Sequence, residues 1–301
     1  MTGFKNVKSY NNDQISNLLE INLKEWLVDS FMRIGAIIPQ RVSQLTPNES
    51  DGVINLSVWN APIQGWAYKI LDNNGNIVLT PAIITVNGTV EPNVTINYAR
   101  GQVTFNRELL ASDVVQARHF TNRLSIFTVL ELNRRPMIQL GTDYADTSNN
   151  EDYTVFQELA VSETIRTPYI ILETFPTGSA KPYMLGTGTV WTTSRVQMNV
   201  VTETVGELSK ILDILRVQSF KTTRLFDTNR AAIDGVLPID PITGDINTSP
   251  LAVQYPDILK DYYIDSMYWK TISVRKFKTT KEDIHMGIAY FTVEIISNPY
   301  I

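Results

Sequence analysis

The segment that most constrains the fold runs from residue 53 to residue 129, where short stretches of alternating apolar and polar residues are separated by turn sequences. The turns are NNGN at 73–76, NG at 87–88 and RG at 100–101. Alternation with a period of two predicts half-buried strands, and turns at this spacing are typical of an antiparallel β-sandwich or small barrel. The sequences DVVQARHF and LSIFTVLEL continue this β-rich unit.

The stretch NVTINYARGQVTFN, residues 93–106, predicts one hairpin of this unit in detail. A two-residue turn at 100–101 would place Tyr98 opposite Val103 and Ile96 opposite Phe105. One face of the hairpin is then apolar and the other is polar. Gly101 suits a positive φ, but arginine is a poorer first turn residue than Asn or Asp, so a longer loop stays open as an alternative.

One helix is predicted before the β-rich unit, over residues 15–34. Its apolar side chains form a single helical stripe, and Gly35 supplies a stop. The stripe consists of Leu19, Leu23, Leu27, Phe31 and Ile34. We expect this helix to pack on its own domain, and the alternative is a helix that docks on a partner ring.

The second half of the chain predicts strands around one helix. The predicted strands are PYIILET, VWTTSRVQMNVVT, FKTTRLF, YYIDSMYWKTISVRK and MGIAYFTVEIIS. Thr204 and Glu207 form a capping-box pattern that opens a helix over 204–218. A Pro-rich stretch, 236–256, is expected to be a long loop that reaches a neighbouring subunit.

Together these patterns predict an α+β, β-rich fold with two domains. Residues 1–145 would hold the N-terminal helix and an antiparallel β-sandwich or barrel. Residues 146–301 would form an antiparallel sheet with a packed helix. The polar tract at 141–152 is the expected linker or exposed loop.

Charge and cysteine content limit the classes of function. A net charge of −5 and a pI of about 5.2 argue against a protein that binds nucleic acid over its whole surface, although local basic patches remain allowed. No apolar run approaches the roughly 20 residues that cross a bilayer, and the N-terminus lacks a signal-peptide pattern. We therefore expect synthesis in the cytoplasm and no membrane partner. The absence of cysteine fits either a reducing compartment or a protein that persists outside a cell.

No motif in the sequence carries catalytic chemistry. The two histidines, His119 and His285, lack the sequence setting of a catalytic base, and neither HExxH nor CxxC spacing occurs. We therefore predict no enzyme, no catalytic residue, no cofactor and no metal site.

A basic segment near the C-terminus, SVRKFKTTK, is the one candidate contact site. It places four cations beside Phe277, and this combination is suited to passing DNA. The candidate DNA contacts are Arg275, Lys276, Lys278 and Lys281. A solvated strand end is the alternative interpretation, favoured by the acidic residues that follow.

Two sets of segments carry a resemblance to a known family. The first is INYARGQVTFN with ASDVV, and the second is RTPYIILE, LGTGTVWTTSRVQMNVVTETVGELSKILDILR and RLFD. They resemble the neck, or head-to-tail connector, proteins of tailed bacteriophages, and the second set is similar to tail-terminator domains. The resemblance covers most of residues 52–227.

The resemblance implies a non-enzymatic virion component, synthesised in the host cytoplasm, that forms a closed homo-oligomeric ring around the DNA channel, with residues 146–301 as the ring-forming domain. Its implied partners are further copies of itself, other neck, portal or tail proteins, and non-specifically the packaged DNA. The alternatives are a different phage structural protein (baseplate, tail-associated or capsid-decorating) and a carbohydrate-active β-protein. The last is suggested by Trp59, Trp66, Trp191 and Trp269.

Overall fold

The structure is a computed structural model of the chain, and it describes residues 15–50, 52–63, 65–72, 74, 76–98, 101–129, 167–175, 180–182, 190–238, 247, 252–277 and 284–297. The predicted linker at 141–152 and most of the predicted loop at 236–256 lie outside these residues. The fold is α+β and β-rich, as the sequence predicts.

The β-rich unit is a sandwich of two antiparallel sheets and a separate strand pair. Its strands are β1 (Ile37–Gln44), β2 (Thr46–Ser50), β3 (Val53–Asn60), β4 (Trp66–Ala67), β5 (Lys69–Leu71), β6 (Ile77–Leu79), β7 (Ile83–Val86), β8 (Thr89–Val90), β9 (Val94–Asn97), β10 (Gln102–Phe105) and β11 (Val115–Asn122). One sheet has the order β1-β11-β7-β8 with β4 also on β11, the other has the order β2-β3-β10-β9, and β5 pairs with β6. Side chains of both sheets share one core, including Trp59, Val103 and Phe105 from one and Ile84 and Val115 from the other.

The predicted hairpin forms, but its pairing is displaced by two residues. Val103 lies opposite Ile96 rather than Tyr98, and Phe105 lies opposite Val94 rather than Ile96. A displacement of two keeps every side chain on its predicted face, so the apolar face survives. Tyr98 leaves the ladder because its hydroxyl accepts a hydrogen bond from the Ala82 amide and its carbonyl accepts one from the Trp66 amide.

A separate eight-stranded sheet, called the second sheet from here on, is built largely from the C-terminal half of the chain. Its strands are β12 (Ser125–Thr128), β13 (Tyr169–Phe175), β14 (Ala180–Pro182), β15 (Val190–Thr202), β16 (Thr222–Phe226), β17 (Tyr263–Trp269), β18 (Ser273–Lys276) and β19 (His285–Ser297). The order is β12-β13-β15-β19-β17-β16, with β14 on β15 and β18 on β19. Among the described residues, four helices accompany the sheets: α1 (Ile15–Arg33), α2 (Val205–Arg216), α3 (Thr228–Ile233) and α4 (Leu259–Tyr262).

Two elements predicted to belong with the sandwich lie with the second sheet instead. Strand β12 pairs with β13, and the pair is parallel rather than antiparallel as predicted. Residues 129–168 separate the two strands, which is more than the dozen or so residues that a parallel crossover needs. Helix α1 packs into the core of the same sheet, where Leu19, Leu23 and Leu27 are buried. The sheets therefore do not divide at residue 145.

Helix α1 fills the opening of the half-barrel that the second sheet forms. The amide of Thr174, on β13, donates to Glu20 Oε1 at 3.0 Å. On β16, at the other side of the sheet, the Phe226 amide donates to Asn22 Oδ1 at 2.9 Å, and Asn22 Nδ2 donates to the Phe226 carbonyl at 3.1 Å. A single helix reaches both strands because the sheet curls around it. Its side chains thus bond backbone groups that would otherwise stay unpaired at the sheet edges.

A buried polar cluster joins α1 to the sandwich. Lys69 Nζ, on β5, lies 3.9 Å from Glu25 Oε2, and both side chains are buried. Burial, followed by the negative charges of Glu25 and Asp29, raises the pKa of Tyr68 well above its usual value. Burial and the same two carboxylates also raise the pKa of Tyr255 to about 12. Helix α1 is therefore buried on its polar side as well as on its apolar stripe. The predicted stripe residue Ile34 is the exception, because it lies beyond the end of the helix and is exposed.

Helix α2 confirms the predicted helix of the second half. The Glu207 amide donates to Thr204 Oγ1 at 3.2 Å, which makes Thr204 the N-cap. The Glu207 carboxylate lies 3.5 Å from Arg123. The predicted apolar face is buried against the second sheet, namely Leu208, Ile211, Leu212 and Leu215.

Candidate functional site

The described part of the predicted basic segment, residues 273–277, consists of strand β18 and the residue after it. Strands β17 and β18 both pair with β19, and the Phe277 amide donates to the Met286 carbonyl, which extends the ladder toward residues 278–283. Of the four candidate DNA contacts, Arg275 and Lys276 lie on β18. Lys278 and Lys281 lie outside the described residues.

Strand geometry separates the two described cations onto opposite faces of the sheet. Lys276 lies opposite Gly287, where an added Cβ would contact Leu208 and Leu212 of α2. The side chain of Lys276 accordingly faces α2, and its Nζ donates to Ser209 Oγ at 2.5 Å. Arg275 projects from the other face, where its guanidinium lies 5.7 Å from the centre of the Phe277 ring. Arg275 and Lys276 therefore do not form one basic surface.

The face that carries Arg275 is the outer face of the second sheet, opposite α1 and α2. Strand alternation along β15, β17 and β19 places large and hydrogen-bonding side chains there. Exposed members of this outer face are Trp191, Arg195, Tyr268, Tyr290 and Ile296. Aromatic residues and arginine are enriched at protein–protein interfaces. The sequence search for compact motifs missed this surface because its members come from three strands.

The structure also brings together a serine and a histidine that are distant in sequence. Ser43 Oγ, on β1, lies 2.9 Å from His119 Nε2, on β11. Both residues are buried, and the Trp66 indole stacks on the imidazole at a centroid distance of 4.2 Å. A substrate carbonyl has no access to the hydroxyl in this arrangement. The pair is therefore a buried polar contact of the sandwich.

His119 makes the stability of the sandwich pH-dependent. Burial lowers its pKa below the usual 6.5, a hydrogen bond to the Phe120 carbonyl opposes this, and nearby Arg41 adds to the lowering. The unfolded chain then binds the proton more readily than the folded chain, so stability is complete above pH 6.5 and decreases as the pH falls toward the folded-state pKa.

Urea unfolding between about pH 5 and pH 8 should show this loss on the acidic side. His119→Gln should reduce the slope of the unfolding free energy against pH. The matched variant His285→Gln, on the second sheet, should retain it. A slope that persists in His119→Gln would contradict the assignment.

Within the described ranges, no cluster of three or more His, Asp or Glu side chains has a spacing that could hold a metal ion. In the same part of the chain, no helix combines the length and apolar character that a bilayer span needs.

Comparison with known proteins does not assign the chain to a family. No protein-family model matches it, and no curated protein matches it.

Proposed function

We propose that this chain is a non-enzymatic structural subunit of a tailed-phage neck, where it forms a closed homo-oligomeric ring between the portal region and the tail. The observation that carries the proposal is the outer face of the second sheet. This face exposes Tyr268, Tyr290 and Ile296 together with Arg195 and Arg275. Exposed apolar surface with a polar rim is a common mark of protein–protein interaction sites.

Helix α1 covers backbone groups at the edges of the second sheet. This supports association through side-chain surfaces rather than through the addition of a neighbour's strand at those edges. Asn22 and Glu20 bond backbone groups of Phe226 and Thr174, at which a neighbouring strand would otherwise add. A ring needs two different, complementary patches on each subunit. The outer face is a separate surface of the subunit, available to the neighbouring portal or tail proteins.

Contact with packaged DNA is part of the proposal for Arg275. Arg275 is exposed on the outer face, whereas Lys276 bonds to Ser209. Such a contact would be non-specific, because arginine on a phosphate carries no sequence information.

The experiment is to delete the gene for this chain from a phage that encodes it. We expect electron micrographs of the lysate to show heads and tails that are separate from each other, and supplying the chain in trans should restore joined particles. Joined but non-adsorbing particles would point to a baseplate role, and intact infectious particles would point to a decorating role. Either result would overturn the neck assignment.

A further inference from the structure

A short loop after α2 exposes an aromatic side chain in an unfavourable backbone conformation. Phe220 has φ +65° and is 64% exposed, and Val217 in the same loop is 74% exposed. A bulky residue with positive φ is a strained outlier, and such strain concentrates at functional sites. Glycine would relieve this strain. We call Val217 and Phe220 the knob.

The loop holds the knob in one position. The Phe220 amide donates to the Trp269 carbonyl, and the Trp269 amide donates to the Lys221 carbonyl, both at 2.9 Å. Ser219 Oγ donates to the Arg216 carbonyl and accepts from the Ile272 amide. An exposed aromatic residue on a rigid backbone loses little conformational entropy on binding, which is the property of an interface anchor.

A second exposed apolar surface lies around α3 and α4. Ile233 at the end of α3 is 82% exposed, and Tyr263, directly after α4, is 51% exposed. Asp257 and Asp261 flank them, and Lys260 lies 2.8 Å from Asp257. We call this set the α3–α4 surface.

The two surfaces carry opposite unpaired charges. The Arg216 side chain, beside the knob, and the Asp261 side chain, on the α3–α4 surface, are both exposed. Neither makes an ion pair with another described residue. Opposite charges at the rims of two apolar surfaces orient partners and exclude wrong ones.

The surfaces lie at opposite ends of the same strand pair. Phe220 precedes β16 and bonds to Trp269 at the end of β17, whereas Phe226 at the end of β16 pairs with Tyr263 at the start of β17. A strand as long as β17 spans roughly 20 Å, so the two surfaces of one chain cannot meet. Contact between them requires a second copy and gives the head-to-tail geometry of a ring.

We propose that the knob of one copy docks on the α3–α4 surface of the next copy, with Arg216 beside the neighbour's acidic rim. This inference rests on the proposed ring. It names which two surfaces of the subunit form the heterologous contact.

The cysteine-free chain allows a direct test by disulfide cross-linking. A full-length variant carrying both Val217→Cys and Ile233→Cys should form linked multimers larger than dimers under mild oxidation. Each single variant should give at most dimers, because a single position cannot propagate a head-to-tail chain. A double variant that stays monomeric, or single variants that give the same multimers, would overturn the docking.

A second test separates docking from folding. Phe220→Gly should leave the chain folded, because glycine suits φ +65°, and should weaken self-association by about tenfold or more in sedimentation experiments. Leu110→Ala, an exposed apolar truncation on the sandwich, should change nothing. Unchanged association of Phe220→Gly, or a loss of DNA binding in place of association, would overturn the inference.

A charge exchange adds specificity to the test. Arg216→Glu and Asp261→Lys should each weaken association, and the double variant should restore it. The outcomes also separate this inference from the proposed function. Rings in the neck without the 217–233 cross-link would refute the docking alone, and cross-linked multimers of a chain that is absent from the neck would refute the neck assignment alone.

Discussion

Replacing Asn22 with alanine should lower the free energy of unfolding by about 3 kcal/mol. Asn22 is 1% exposed, and its amide bonds both backbone groups of Phe226 on the outermost strand of the second sheet. A buried backbone group left without a partner costs about 1–3 kcal/mol, and this substitution leaves two such groups without a partner. The loss should appear in urea unfolding, together with faster amide exchange in β16.

Asn60 supplies the matched control for this substitution. It also makes two side-chain hydrogen bonds, to Asn48 Oδ1 and from Gln102 Nε2, but all three side chains are half-buried and within reach of water. Asn60→Ala should therefore cost less than about 1 kcal/mol. Equal losses in the two variants would show that α1 does not protect the edge of the sheet.

The substitution Gly101→Ala should destabilise the sandwich by about 2–5 kcal/mol, through overpacking and backbone strain together. The added Cβ would lie 2.5 Å from the Ile63 carbonyl oxygen and 2.9 Å from Trp66 Nε1. Those atoms are held in place, because the Trp66 indole donates to the Ile63 carbonyl and the Ala61 amide donates to Gly101. Near-UV circular dichroism during thermal unfolding would report the loss.

Gly88→Ala separates the backbone strain from the clash. Gly88 also has a positive φ, +81°, but nothing lies within 4 Å of its added Cβ. It should therefore cost only the strain of about 1–2 kcal/mol. If the two alanine variants lose the same stability, the close approach at Gly101 does not constrain the hairpin.

Local patterns in the sequence predicted individual elements well. The segment VWTTSRVQMNVVT forms β15 with the predicted ends, and the Thr204 cap begins α2. The NG turn places both Asn87 and Gly88 at positive φ, as a tight hairpin turn requires. These features depend on neighbours in sequence, which is why periodicity and capping rules recover them.

The features that sequence patterns did not predict depend on contacts between residues that are distant in sequence. Glu20 and Asn22 resemble the solvent side of an amphipathic helix, and only their contacts with residues more than 150 positions away explain their burial. The contact between Ser43 and His119 and the pairing of β12 with β13 also depend on partners that are distant in sequence. In each case the sequence holds no local signal of the partner.

Two differences between the predicted and the observed structure, both at the candidate surfaces, have local causes. The separation of Arg275 from Lys276 follows from strand alternation, so that signal was present in the sequence. The predicted strand FKTTRLF begins two residues late, at Thr222, because Phe220 adopts a left-handed conformation. No propensity rule places phenylalanine there, and the knob could be found only from the structure.

Imaging of intact particles tests most directly whether this chain forms the proposed ring in the neck of a tailed phage. A reconstruction of the head–tail junction should show the second sheet and its helices as a symmetric collar around the DNA channel. Density for the chain on the capsid exterior, at the distal tail tip, or nowhere in the particle would contradict the claim.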